Sequence, residues 1–162
     1  MKHSAFIELN QKAIIDALYQ DEDFKKFWGK RILAIDGSKI RLPNTQEVCG
    51  TFGAIAYSQG QDSDMQGEHP YALGSVLFDV LNRVAIDATL APANAYEVDL
   101  AIAHLAHTQH DDLLLMDRNY PSYRMLAILL KTERDFAIRC SASSFSVARR
   151  MLKGDGTDSQ VV

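Results

Sequence analysis

Two aspartates, Asp36 and Asp117, are where this sequence points to chemistry. Asp36 closes the apolar run Ile32-Leu33-Ala34-Ile35 and is followed by Gly37-Ser38; Asp117 closes Leu113-Leu114-Leu115-Met116 and is followed by Arg118-Asn119-Tyr120. A short apolar run reads as a buried strand. An ionised carboxylate at the end of such a strand is costly unless it is paired, hydrogen-bonded or bound to metal. Two such strands, neighbours in one sheet, place two carboxylates side by side. These repel unless a cation lies between them, and hard oxygen ligands favour Mg²⁺ or Mn²⁺. The competing reading, that each Asp only caps a strand-to-helix turn, explains either acid alone but not the repetition of the pattern.

The elements that must position the two acids can be read from periodicity. Residues 4–27 read as helical, with Phe6, Leu9, Ala13, Ile14, Ala17 and Leu18 on one face. Asp21-Glu22-Asp23 then opens a second short helix carrying Phe24, Phe27 and Trp28 and ended by Gly29. A first strand spans 31–42, with Lys39 and Arg41 outward and Ile40 and Leu42 inward; Pro43-Asn44 ends it, and 43–70 read as a long polar loop. Strands at 71–80 and 84–90 form an antiparallel hairpin turning at Asn82-Arg83. Asn94, with Glu97 three residues on, reads as the capping box of a helix at 95–108 that buries Val98, Ile102 and Leu105. A strand at 112–117 follows. Pro121 sits in the first turn of a helix running to Arg134 that buries Met125, Leu126, Leu129 and Leu130. A strand at 136–140 and a short amphipathic stretch with Phe145, Val147, Met151 and Leu152 come before a polar tail. The order βββαβαβ gives a mixed α/β fold with the first, fourth and fifth strands parallel.

Other groups carry less. Asp62, Asp64, Glu68 and His69 in the polar loop follow from its composition. Asp87, on the open face of a strand, reads as solvated. His104, His107 and His110 recur every three residues, but no Cys or carboxylate completes a metal set and His110 falls past the helix end.

The 162 residues, 47% hydrophobic and 23% charged, suit one globular domain. A net charge of −4 argues against a free-standing basic DNA-binding module but not against an enzyme that grips DNA elsewhere. No apolar run approaches the ~20 residues of a membrane span, and Met1-Lys2-His3-Ser4 opens no signal peptide. Cys49 and Cys140 lack metal-type spacing and read as reduced thiols, so the expected location is cytoplasmic and away from membrane.

Asp36-Gly37-Ser38 through Leu42-Pro43, and Asp117-Arg118-Asn119-Tyr120, resemble the first and second acidic motifs of the DDE transposases of bacterial insertion sequences, in the family named after insertion sequence four. Leu42-Pro43-Asn44-Thr45, Phe52-Gly53, Leu77-Phe78-Asp79-Val80 and Ala91-Pro92 through Glu97 extend the likeness, which covers roughly residues 30–162. Asn119 stands where the family usually has Gly, and Asn tolerates the same left-handed backbone. The family's third acid, a Glu in Tyr-x2-Arg-x3-Glu-x6-Lys, has no counterpart here.

The resemblance implies a ribonuclease-H-like mixed sheet (strands 1-2-3 antiparallel; 1, 4 and 5 parallel) with flanking helices, truncated before the third acid. It divides the chain into a helical arm at 1–30, an incomplete core at 31–153, and, at 154–162, the start of an inserted segment or a disordered tail. It implies Asp36 and Asp117 as catalytic metal ligands, two Mg²⁺ or Mn²⁺ ions in the complete site, and DNA as partner, in nicking at transposon ends followed by strand transfer. Arg118, Tyr120, Lys39 and Arg41 become DNA-contact candidates, and a homo-oligomer is compatible with this reading. Three alternatives stay open: a small ribonuclease-H-like nuclease, with Asp87 the only further acid to hand; a non-catalytic remnant acting as a binding or regulatory module; and a receiver- or phosphatase-like domain using Asp36 as nucleophile, against which stands Ser38 where a second Asp is wanted.

Overall fold

A computed structural model describes residues 2–20, 23–57 and 67–154. Its centre is β1 (Ile32–Arg41). Before it come α1 (His3–Leu9), a π-helical segment Asn10–Asp16 and α2 (Ala17–Gln20). After it come α3 (Gln46–Phe52), β2 (Ala54–Tyr57), β3 (Gly67–Asp79), β4 (Val84–Pro92), α4 (Glu97–His104), β5 (Leu113–Met116), α5 (Tyr123–Lys131), β6 (Asp135–Ile138) and α6 (Ser146–Leu152).

The strands make one mixed sheet. β1 runs antiparallel to β3 and parallel to β5, which in turn pairs parallel with β6. β2 pairs with the first four residues of β3, and β4 with the stretch from Ala72 onward, both antiparallel. The side chains of β1 alternate between the two faces. Leu33 and Ile35 enter a core with Leu77, Leu114 and Met116 of the sheet, Val98 and Ala101 of α4, and Met125 and Leu129 of α5. Each fully buried Leu or Ile contributes about 1.5–3 kcal/mol. That packing, and not the acids, which repel, holds β1 against β5.

Several elements differ from the sequence reading, each for a local reason. The 43–70 stretch is not one loop. Thr45 caps α3 by accepting from the Val48 amide at 3.3 Å, and β2 follows. Among the candidate metal residues there, Asp62 and Asp64 lie outside the described residues, and His69 lies 3.2 Å from the Arg41 guanidinium. The N-terminal run turns a different face inward: Ile15 is buried, while Phe6, Leu9 and Ile14 are 61%, 58% and 43% exposed. The π-helical turn adds a residue per turn and rotates the face expected from a regular helix.

Beyond residue 22 the second helix is absent among the described residues. Phe27 and Lys30 pair across a tight turn in which Trp28 and Gly29 take φ of 50° and 78°. α4 is capped at Tyr96 without a side-chain bond, so Asn94 and Glu97 form no capping box. Its buried positions are Val98, Ala101 and His104, one residue off the expected stripe. Ser122, not Pro121, opens α5, accepting from the Met125 amide at 3.1 Å. Leu130 of α5 is 64% exposed. Ile40 is also outward, lying over Gly74: a Cβ there would meet its Cδ1 at 2.7 Å.

Candidate functional site

β1 and β5 pair in the register Ile32↔Leu113 through Ile35↔Met116. Asp36 and Asp117 are the next residues of the two strands, and both are exposed. They line one open depression with Ala34, Ile35, Leu115, Met116 and Arg139. β5 ends at Met116, so from Asp36 onward the edge of β1 toward β5 is free and the two acids meet at an open step in the sheet.

The register is pinned at its other end. Arg31, one residue before β1, donates from Nε and Nη2 to Asp112, one residue before β5, both at 2.7 Å. Both side chains are buried, and Asp112 accepts a third bond from the Gln109 amide at 2.6 Å. This fork has the same sequence offset as the paired strands, 112 − 31 = 81 and 117 − 36 = 81. A slip by one residue would break the fork and move one acid to the other face of the sheet.

The turn after β5 fixes the second acid. Asp117 Oδ1 accepts from the Asn119 amide at 2.8 Å. Tyr120 then turns into the molecule and is only 1% exposed. Expected as a DNA contact, it is instead a core residue, because its ring completes the cluster of Ile35 and Met116. Its hydroxyl has no hydrogen-bond partner among the described residues. Burial first, then the charges of Glu97, Asp36 and Asp117, push its pKa above the ordinary tyrosine value. The other three contact candidates, Arg118, Lys39 and Arg41, are exposed. Arg139, which the sequence reading passed over, lines the depression because its amide continues the ladder, donating to the Met116 carbonyl at 3.1 Å.

Asp87 is not free to act as a third acid. His104, 1% exposed, donates from Nδ1 to Asp87 at 2.7 Å, and its Nε2 and the Ser75 hydroxyl share a hydrogen bond of 3.0 Å. His107 Nε2 stands 3.5 Å from the same carboxylate. Ser75 is itself 1% exposed, so this Ser-His-Asp line is closed to substrate and acts as a clamp between α4 and the sheet. His110 is exposed.

Among the described residues no group of three or more His, Cys, Asp or Glu stands ready to hold a metal ion. The donor chemistry of Asp36 and Asp117, carboxylate oxygens at one open step, fits a hard divalent cation that keeps much of its water. Among the described residues no helix is long and apolar enough to cross a membrane.

Residues 27–157 match the family described as the transposase DDE domain. A comparison with curated proteins finds no match. Among solved structures, the chain is similar to that described as "Crystal structure of a pre-cleavage Mos1 transpososome", with 12% identity and a TM-score of 0.38. The alignment covers 88% of this chain and 46% of that one, so the chain spans about half the length of the protein it matches.

Proposed function

The chain belongs to the transposase DDE domain family, and from that premise we propose that Asp36 and Asp117 are its first two catalytic acids, holding Mg²⁺ or Mn²⁺ for phosphodiester cleavage and strand transfer on DNA. The observation that supports this is the parallel β1–β5 register, which delivers both acids to one open depression. We read the sheet, with β1 between β3 and β5 and the two crossovers behind it, as ribonuclease-H-like.

A bound pair of divalent ions supplies Lewis acidity, activating water and stabilising the leaving oxygen. The chain's own residues do the rest by placement. The Asn119 amide holds one oxygen of Asp117 and leaves the other free for a cation. Arg139 lines the same depression and carries a side chain able to pair with a phosphate, and Arg118, exposed, directly follows Asp117. Lys39 and Arg41, exposed further along β1, alternate to the face opposite Asp36 and stand apart from the depression.

The test is nicking of a labelled duplex in Mg²⁺ or Mn²⁺. The 162 residues alone, lacking the Tyr-x2-Arg-x3-Glu-x6-Lys motif, are expected not to nick at a useful rate, because a lost charged ligand removes both a coordination position and the alignment of the reacting atoms. The chain joined to a segment carrying that motif is expected to nick, and Asp36→Ala or Asp117→Ala to silence it. Nicking that survives either substitution overturns the assignment.

A further inference from the structure

The turn that leads into β1 carries an aromatic side chain from which the fold gains little. Phe27 and Lys30 exchange two backbone bonds, at 2.9 and 3.0 Å, so Trp28 and Gly29 are the two central residues of a tight turn. Both have positive φ, 50° and 78°. Turns of this kind favour Asn, Asp or Gly in the first place, because a large side chain there is strained. Trp28 is nevertheless 89% exposed, so burial does not offset that strain. Its ring stacks on that of Phe27, itself 45% exposed, with centroids 4.6 Å apart and planes at 25°. The two rings form one outward aromatic plate.

Cations flank the plate. Lys25 and Lys26 are exposed, the second with its ammonium 4.4 Å from the Phe24 ring centre. Asn82 ties this segment to the β3–β4 turn: its side chain accepts from the Lys25 amide at 2.8 Å and donates to the Lys25 carbonyl at 3.1 Å. That tie brings exposed Arg83, the next residue, to the same end of the molecule. Of the acids at this end, Asp135 pairs with Lys30 and Asp112 with Arg31. Asp79 is buried and accepts from the Tyr19 hydroxyl, the Asn82 side chain and two backbone amides. Asp23 and Asp111 are exposed.

A flat aromatic plate flanked by cations fits a nucleobase and its neighbouring phosphates, since the base stacks and the phosphates pair. An unpaired base offers the free face that stacking needs. We propose that the Phe27–Trp28 turn is a second nucleic-acid contact, in which the Trp28 indole stacks on an unpaired base of a DNA strand and Lys25, Lys26 and Arg83 hold the neighbouring phosphates. The choice of DNA rests on the reading of this chain as acting on DNA; the stacking itself does not depend on the acids. From Lys30 to Asp36 the chain runs about 20 Å at the rise of an extended strand, so the contact is distinct from the depression at Asp36 and Asp117.

The test is the anisotropy of a short, end-labelled oligo-dT strand mixed with the full 162-residue chain in EDTA, where no divalent cation can bridge. Trp28→Asn should weaken binding about 5- to 100-fold, the range for losing one stacked base. It should melt no lower than the parent, because Asn suits the left-handed place. Lys25→Ala with Lys26→Ala should reduce the log–log salt slope by about 0.7 per charge, and Lys131→Ala, exposed on α5, should leave binding unchanged. Trp28 is the chain's one tryptophan, so the strand should quench the protein's indole emission. Parental affinity in Trp28→Asn, or no binding by the parent at low salt, overturns the proposal. A lower Tm in Trp28→Asn marks Trp28 as structural and overturns it as well. Emission that ignores the strand but shifts to the blue on anionic lipid vesicles overturns it in favour of a membrane surface. Because the assay holds no metal, nicking that survives Asp36→Ala leaves this contact standing, and parental affinity in Trp28→Asn leaves the two-acid reading standing.

Discussion

At the scale of single residues, the buried charges make the sharpest predictions. Asp112→Asn leaves the Arg31 guanidinium buried without a charged partner and should cost about 3–5 kcal/mol in urea unfolding. Replacing both, as Arg31→Met with Asp112→Leu, should recover most of that loss. Tyrosines make a prediction in pH. Tyr19, half-buried and donating to Asp79 at 2.7 Å, and buried Tyr120 both hold their protons more tightly folded than the ordinary value of 10.0. Their contribution to stability is therefore full below about pH 10 and falls as pH rises above it, when the unfolded chain releases protons that the folded chain keeps. Alkaline melting should show this fall, and Tyr120→Phe should flatten it. Asp36 and Asp117 were legible in the sequence because a carboxylate ending an apolar run is a local signal. Arg31 and Asp112 were not, because nothing local in Lys30-Arg31 or Asp111-Asp112 says that residues 81 apart are paired.

At the scale of elements, position along the chain was easier to read than facing. The core strands and the hairpin were found from alternation and turn residues. The error at β4 has a definite cause. Its ladder to β3 shifts between Leu77 and Phe78, which face Asp87 and Ala85, so Ile86 is an extra residue. That bulge breaks the strict alternation on which Asp87 was read as a solvated outward residue. Asn10 and Gln11 of the π-helical turn donate to the Ala85 and Ile86 carbonyls, both at 2.9 Å, so the arm covers the edge of β4. Glu97 was read as a cap because its spacing from Asn94 fits one; a capping box depends on where the backbone starts to coil, which spacing alone does not set. The His104 clamp should be the main tie of α4. His104→Ala should cost about 2–4 kcal/mol through a cavity and two lost bonds, and Ser75→Ala about 0.5–1.5 kcal/mol, both measured by denaturant unfolding.

At the scale of the whole molecule, the acids stand where the sheet is least enclosed. α4 and α5 pack on the face of Leu33 and Ile35, while Asp36 shares the other face with Ile40, Phe78 and Leu90, which are 44%, 36% and 57% exposed. Titration calorimetry should accordingly find Mg²⁺ binding no tighter than the millimolar range, about the weak end of oxygen-ligand sites, and Asp36→Asn should abolish it. The Arg31–Asp112 fork has a consequence in time as well as in space. The β3–β4 hairpin closes over a four-residue turn, but β1 meets β5 only by closing a loop of 81 residues. Long-range pairing of this kind is slow, in the range of about milliseconds to seconds for such topologies. During synthesis β1 must wait, its Asp36 unaccompanied, until β5 has left the ribosome. The protein therefore cannot present its two acids together before more than two-thirds of these residues exist, so no nascent fragment shorter than that carries the pair.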